Sequence, residues 1–213
     1  MNESTSKEKV LKAIRDAQIE AERQQKVIDV DMNSPMYPPI QEPLLKHLFR
    51  VFSRNNSFFI YCRDEFQVGE EIKKILYQYR YETIFTNDPD IEYLFVEEGI
   101  PFINYDHGLR KADVAVTFCE CAAIRSGTIA LSSRQSTGRT AHTIPEAHFV
   151  IVFSDQLVND ISSVYPYLQR KYHGKAPSML TFVTGASRTD AIQGEMTYGV
   201  NGSTRLFVFY VDG

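Results

Sequence analysis

Hydrophobic positions in this chain change period along its length. Val10, Ile14, Ala17 and Ala21 fall on one face at helical spacing, behind Thr5 and Glu8 at capping-box spacing, which predicts an N-terminal helix. Its apolar stripe is thin and its charges are mixed, so it reads as a solvated arm packed on its own domain or on a twin subunit. Residues 33–43, NSPMYPPIQEP, hold four prolines and cannot continue a helix. Leu44 to Phe52 resume an apolar pattern suited to a short helix. At Ser57 the period changes: SFFIYC is a short run of β formers bounded by polar residues and suits a buried strand. Asp64 and Gln67 cap a helix whose Val68, Ile72, Ile75, Leu76 and Tyr79 share a face. A second strand near Glu82 to Phe85 leads to Asp88 and Pro89, an N-cap followed by proline at the first helical position, and that helix should end at Gly99.

Apolar runs continue at Val114–Phe118, Thr128–Leu131, Phe149–Phe153, Leu180–Val183 and Leu206–Val211, with a helix expected from about Asp155, interrupted by Pro166. Strand and helix in alternation with short connections predict an α/β domain with a mostly parallel, doubly wound sheet. Its ligands are expected beyond the carboxyl ends of the strands. The expected organisation is an N-terminal helix and Pro-rich linker over residues 1–43 and the α/β domain over 44–213.

Composition narrows the classes of function. The 213 residues carry 23 Lys and Arg against 27 Asp and Glu, a net charge of −4, which argues against a surface built to neutralise nucleic-acid phosphates. No apolar run approaches the roughly 18 residues of a membrane span, and the opening MNESTSKEK is polar, so a cytoplasmic protein without membrane contact is expected. Three cysteines make no disulfide framework and point to a reducing compartment.

Three loops share one chemistry. RSGT at Arg125–Thr128, RQSTGRT at Arg134–Thr140 and TGASRTD at Thr184–Asp190 combine glycine, small hydroxyls and arginine, residues that offer backbone N–H groups and charge to an anion. The candidates are Ser126, Gly127, Thr128, Gly138, Arg139, Gly185, Ser187, Arg188 and Thr189. TGASRTD directly follows the strand-like MLTFV and is placed to open a helix, although a tight turn with a Ser187 cap explains the same residues. None of the loops matches GxxxxGK[ST] or GxGxxG. Asp106 and His107, in NYDHG, are candidates for an acid–base pair. His142 sits in the Ser/Thr/Arg loop, whereas His148 heads an apolar strand and His47 a helix, which makes both core-edge residues. Phe-Cys-Glu-Cys places Cys119 and Cys121 on one side of a strand. Buried apolar thiols explain this pair and Cys62 better than metal ligation, so no metal is expected.

The run GASRTDAIQGEMTYGVNG, closing on RLFVFYVD, resembles the ending of the LUD-domain family (lactate utilisation, LutC type), whose pattern is GPSRTADIEG, a short apolar stretch, GVHGP and a last strand. SGTIALSS, GRT and HFVIV are similar to the family's TGTLVL, Gly-Arg and HIAVV segments, and SKEKVLKAIRDAQ to its N-terminal helix. The likeness is dense from Asp113 to Asp212. It adds Gly199, Asn201 and Gly202 to the anion-binding candidates. Departures are specific: Arg125 stands where the family has an acid, Asn201 replaces a histidine, Ser203 a proline and Gln193 a glutamate, while Asp190 lies one position early. Arg, Asn and Gln cannot act as base at these places. Glu120 is the nearest acidic residue to Arg125 upstream, a shifted counterpart and a third catalytic candidate.

The resemblance implies a NagB/RpiA/CoA-transferase-like, Rossmann-type three-layer fold and a part in oxidising L-lactate to pyruvate. It implies partners, LutA-like and LutB-like iron–sulfur subunits, which carry the clusters, with no cofactor expected on this chain. Three readings follow. One is an accessory or regulatory subunit that binds a small anion, with a homodimer through the arm as an option. Another is a stand-alone enzyme on a phosphorylated or CoA-linked carbonyl compound, with Arg188 and Arg139 holding the anion and Glu120 as base. The last is a non-catalytic interaction protein. The first is expected, because the motifs name that family while the missing acid and imidazole weaken a claim to chemistry.

Overall fold

A computed structural model describes residues 10–16, 20, 37–105, 108–137, 139–192 and 195–212, without the side chains of 190–192 and 195. The chain divides into two units, residues 1–39 and 40–213. In the first, residues 10–16 are helical; Thr5, Glu8, Ala17 and Ala21 of the expected arm lie outside the described residues.

The second unit opens with helix α1 (Leu44–Arg54), strand β1 (Ser57–Cys62), helix α2 (Glu65–Tyr79), strand β2 (Ile84–Phe85) and helix α3 (Pro89–Glu97). The expected caps are present: the Asp64 carboxylate accepts from the Gln67 N–H at 2.8 Å, and Asp88 accepts from the Asp90 N–H with Pro89 in the first turn. Strands β3 (Val114–Phe118), β4 (Cys121–Ala123), β5 (Thr128–Ser132), β6 (Ala147–Phe153) and β7 (Leu157–Val158) follow. Helix α4 (Val164–Lys171) and strands β8 (Leu180–Val183), β9 (Arg188–Ile192), β10 (Glu195–Tyr198) and β11 (Arg205–Val211) complete the unit.

Five strands form a parallel sheet in the order β1-β11-β6-β3-β2. Its residues alternate between two cores. Phe149 and Ile151 of β6 and Phe207 and Phe209 of β11 pack against Val68, Ile72, Ile91 and Phe95 of α2 and α3. Val150, Val152, Val208 and Tyr210 turn the other way, onto Leu48 and Phe52 of α1 and Ile129 and Leu131 of β5. Each such side chain, fully buried, contributes about 1.5–3 kcal/mol. A second sheet, β7-β4-β5-β8, forms the next layer, and α4 closes its outer face through Val164 and Leu168 on Cys121 and Ala130.

The expected parallel α/β sheet is present, with three differences. Helices α2 and α3 cover one of its faces; on the other, the single helix α1 shares the cover with the second sheet. The helix expected from Asp155 is instead a short turn, β7, another turn and then α4, in which Pro166 occupies the third helical position. There its missing N–H costs nothing, since first-turn amides have no partner within the helix. TGASRTD opens strand β9, paired antiparallel with β10, because the Ser187 N–H donates to the Ser203 carbonyl and its own carbonyl accepts from Gly199.

Adjacent strands β2 and β3 send the chain to opposite faces, β2 to α3 and β3 to β4. Their carboxyl ends therefore border a crevice. At the other end of the second sheet, Gly185 runs against the turn after α1: its φ is +85°, and an added Cβ would lie 1.9 Å from the Asn55 carbonyl oxygen. Gly185→Ala is expected to cost about 2–4 kcal/mol through strain and overpacking. A fall in the urea midpoint at unchanged slope is the check.

Candidate functional site

Two cavities lie at opposite ends of β5. The first, of about 640 Å³, occupies the crevice beyond the carboxyl ends of the parallel strands and is lined by Glu120, Lys171, Tyr172 and Arg134 and by Asp88 and Asp90. Glu120 is 0% exposed. One carboxylate oxygen accepts from Ser132 Oγ at 2.5 Å and Tyr172 OH at 2.7 Å; the other accepts from Lys171 Nζ at 2.7 Å. Burial pushes this carboxyl up, but the bonds from Lys171, Ser132 and Tyr172 outweigh it and hold the group below its ordinary value. Burial and the bond to Glu120 push the Tyr172 hydroxyl up to about 12. A sealed carboxylate with three donors is a weak base, so the arrangement suits a counter-ion that fixes Lys171 and Tyr172. Two glutamines stiffen the loop: Gln135 donates to the Phe118 carbonyl at 2.7 Å and Gln156 to the Cys119 carbonyl at 3.0 Å.

The second cavity, of about 520 Å³, gathers Gly185, Ser187, Arg188, Asn201 and Gly202. These five candidates come from two segments held together by the Ser187–Ser203 bond and by the Asn201 N–H donating to Ser187 Oγ at 3.2 Å. Arg188 is exposed, and among the described residues it is the only charged side chain lining the cavity and has no carboxylate partner. Ser126 and Thr128 join through a run of hydroxyls: Ser126 Oγ to Thr128 Oγ1 and Thr128 Oγ1 to Thr184 Oγ1, each 2.8 Å, with Thr184 on the wall. Gly127, Thr189 and Gly199 flank the cavity without lining it.

Other candidates fall elsewhere. Arg139 donates to Ser178 Oγ at 2.8 Å and lines neither cavity, so the grouping of Arg188, Arg139 and Glu120 in one active site is not formed. Asp106, His107, Gly138 and Gln193 lie outside the described residues. Cys119 and Cys121 do not share a side: β3 ends at Phe118, the chain turns through Glu120, and Cys119 enters the layer between the sheets while Cys121 faces α4. Among the described residues no group of His, Cys, Asp and Glu is arranged to hold a metal ion.

His142 and His148 also line the second cavity, their ring centroids 6.4 Å apart. The strand pattern marked His148 as a core-edge residue; it is 1% exposed, with Nε2 2.9 Å from Thr117 Oγ1. Burial, reinforced by the neighbouring His142, lowers its pKa from 6.5 to about 3, and burial also lowers that of His142. Near neutral pH both rings are uncharged.

A family model described as "LUD domain" matches residues 104–211. Relatives bearing the name Lactate utilization protein C include one from Geobacillus thermodenitrificans, 32% identical over 94 residues, covering 43% of this chain and 39% of that protein. Another, from Deinococcus radiodurans, is 34% identical over 104 residues, 48% of each chain. A third, from Halalkalibacterium halodurans, is 27% identical over 164 residues, 68% of this chain and 70% of its own. The matches to the first two thus span less than half of those relatives. A crystal structure of a DUF162 family protein from Deinococcus radiodurans superposes with a TM-score of 0.62 at 23% identity, over 82% of this chain and 99% of that one, and so shares the fold.

Two outcomes follow from the geometry. Glu120→Ala strands two hydroxyls and an ammonium and is expected to cost about 2–4 kcal/mol in chemical denaturation. The unfolded chain takes up a proton at His148 below pH 6.5 that the folded chain refuses until about pH 3, so stability falls as pH drops through that window. Between pH 7.5 and pH 5, before most carboxylates titrate, the loss from His148 is about 2 kcal/mol. In His148→Phe the denaturation midpoint should vary less over the same range.

Proposed function

The chain belongs to the LUD domain family, and from that membership we propose that it serves lactate utilisation as the subunit that holds a small carboxylate in the Arg188 cavity. The observation that carries this reading is the charge count of the cavity wall. Among the described residues of that wall Arg188 supplies one positive charge, the two histidines are neutral near pH 7, and the remaining polar side chains are hydroxyls and an amide, among them Ser187, Thr184 and Asn201. A monoanion with a hydroxyl or carbonyl oxygen matches that wall, whereas a phosphate dianion leaves a charge unanswered. Lactate and pyruvate are monoanions of this type. In this reading the chain is an accessory subunit, and the electrons of lactate oxidation pass to iron–sulfur partner subunits.

Titration calorimetry of the full chain with L-lactate, pyruvate and inorganic phosphate is the direct test. Saturable binding of a monocarboxylate, weakened about 10- to 100-fold by Arg188→Ala, is expected. Binding that survives Arg188→Ala, or a preference for phosphate, overturns the reading. In cells, a strain lacking the gene should fail to grow on L-lactate and recover with the wild-type chain but only weakly with Arg188→Ala.

A further inference from the structure

The second cavity contains a polar atom that the fold leaves unanswered. His148 Nδ1 is closed to solvent and has no hydrogen-bond partner among the described residues, although the residue forms part of the cavity wall. An unpaired buried donor or acceptor is costly and calls for an explanation.

The state of that nitrogen follows from its neighbour. Thr117, 2% exposed in β3, has one side-chain partner among the described residues, His148 Nε2. A hydroxyl carries one proton to donate, and this one has only Nε2 to receive it. The arrangement that uses this proton makes Nε2 the acceptor. Because the ring is neutral, its proton resides on Nδ1. The register keeps the pair in place: Ala115 is opposite His148 and Thr117 opposite Val150 on adjacent parallel strands, so both side chains turn to the face that bears the second sheet. The residue that carries this nitrogen thus lines a cavity that already offers a guanidinium.

We infer that His148 is a specificity residue whose Nδ1–H donates to the oxygen on the carbon next to the ligand carboxylate, so that the cavity selects 2-oxo and 2-hydroxy acids over simple fatty acids. This rests on the reading of the Arg188 cavity as a carboxylate site. Arg188 answers the carboxylate, and His148 answers the second oxygen. Since Nδ1 is closed to solvent, the ligand reaches it with a small shift of the wall, where the His142 ring is the neighbour. An acid lacking that oxygen leaves the N–H unpaired, the situation in which a site built for a hydrogen bond rejects an analogue.

The test compares pyruvate, L-lactate and propionate on the full chain by calorimetry, with a two-bond proton–nitrogen spectrum of the histidines at pH 7. Pyruvate or lactate is expected to bind about 10- to 100-fold more tightly than propionate. The spectrum should show His148 protonated at Nδ1. His148→Phe should bring the three acids within about threefold of one another while propionate affinity holds; His148→Asn, whose amide N–H takes the place of Nδ1–H, should restore part of the preference. Equal affinities in the wild type, a proton on Nε2, or an undiminished preference in a folded His148→Phe variant each overturn the inference. If all three acids bind equally and Arg188→Ala abolishes all three, only the His148 assignment fails. If none binds, the Arg188 reading fails and takes this one with it.

Discussion

Burial of both faces of β6 and β11 is the constraint on which the rest of the fold depends. Side chains of alternating residues leave a strand in opposite directions, so two central strands with almost no exposed position require an apolar layer on each side. Helices α2 and α3 provide one. The other is α1 with a sheet whose strands are two to five residues long. Short strands suffice there because β4, β5 and β8 need only present Ala122, Ile129, Leu131 and Val183 to the interlayer core.

Two clusters of polar groups in this arrangement lie where the layers end. Glu120 lies where the chain passes from the parallel sheet to the second one, and it ties together the end of β5, the end of α4 and the β3–β4 turn. At the opposite end of β5, hydroxyls of Ser126, Thr128 and Thr184 connect the first loop to the third. One five-residue strand thus spans two polar clusters, and an apolar core separates them. The cavities have different electrostatics as a result. The first is lined by both acids and bases, whereas among the described residues the second has Arg188 as its one charged side chain beside neutral polar groups.

Much of the fold was legible in the sequence where period and caps agreed. SFFIYC, the Asp64 and Asp88 caps and the run ending at Val211 needed only local information. The second sheet was only partly readable, since Cys121–Ala123 and Leu157–Val158 are too short to display a period. The turn of TGASRTD into a strand was set by partners some twelve to sixteen residues away, at Gly199 and Ser203. Of the site, the loop chemistry pointed to Gly185, Ser187 and Arg188, and the family motif added Asn201 and Gly202. For His148 the strand pattern gives a core-edge position and no role at the site, although a signal exists: in AHFVIVF it is in phase with Val150 and Val152, and Thr117 is in phase with Ala115. Two polar residues on the buried face of neighbouring strands invite the question of what they bond to. Glu120 looked like a base because spacing along the chain cannot show that Lys171 and Tyr172 fold back onto it.

The three cysteines acquire a practical meaning from these layers. Cys62 lies in the core beneath α2 and α3, Cys119 between the sheets and Cys121 under α4. Burial pushes each thiol up, Cys62 and Cys121 to about 12, so the folded chain presents almost no thiolate to an alkylating reagent. Labelling at any one of them reports the opening of a different layer. The native chain therefore carries a built-in stopwatch for each of its three interfaces, readable by mass spectrometry without any engineered probe.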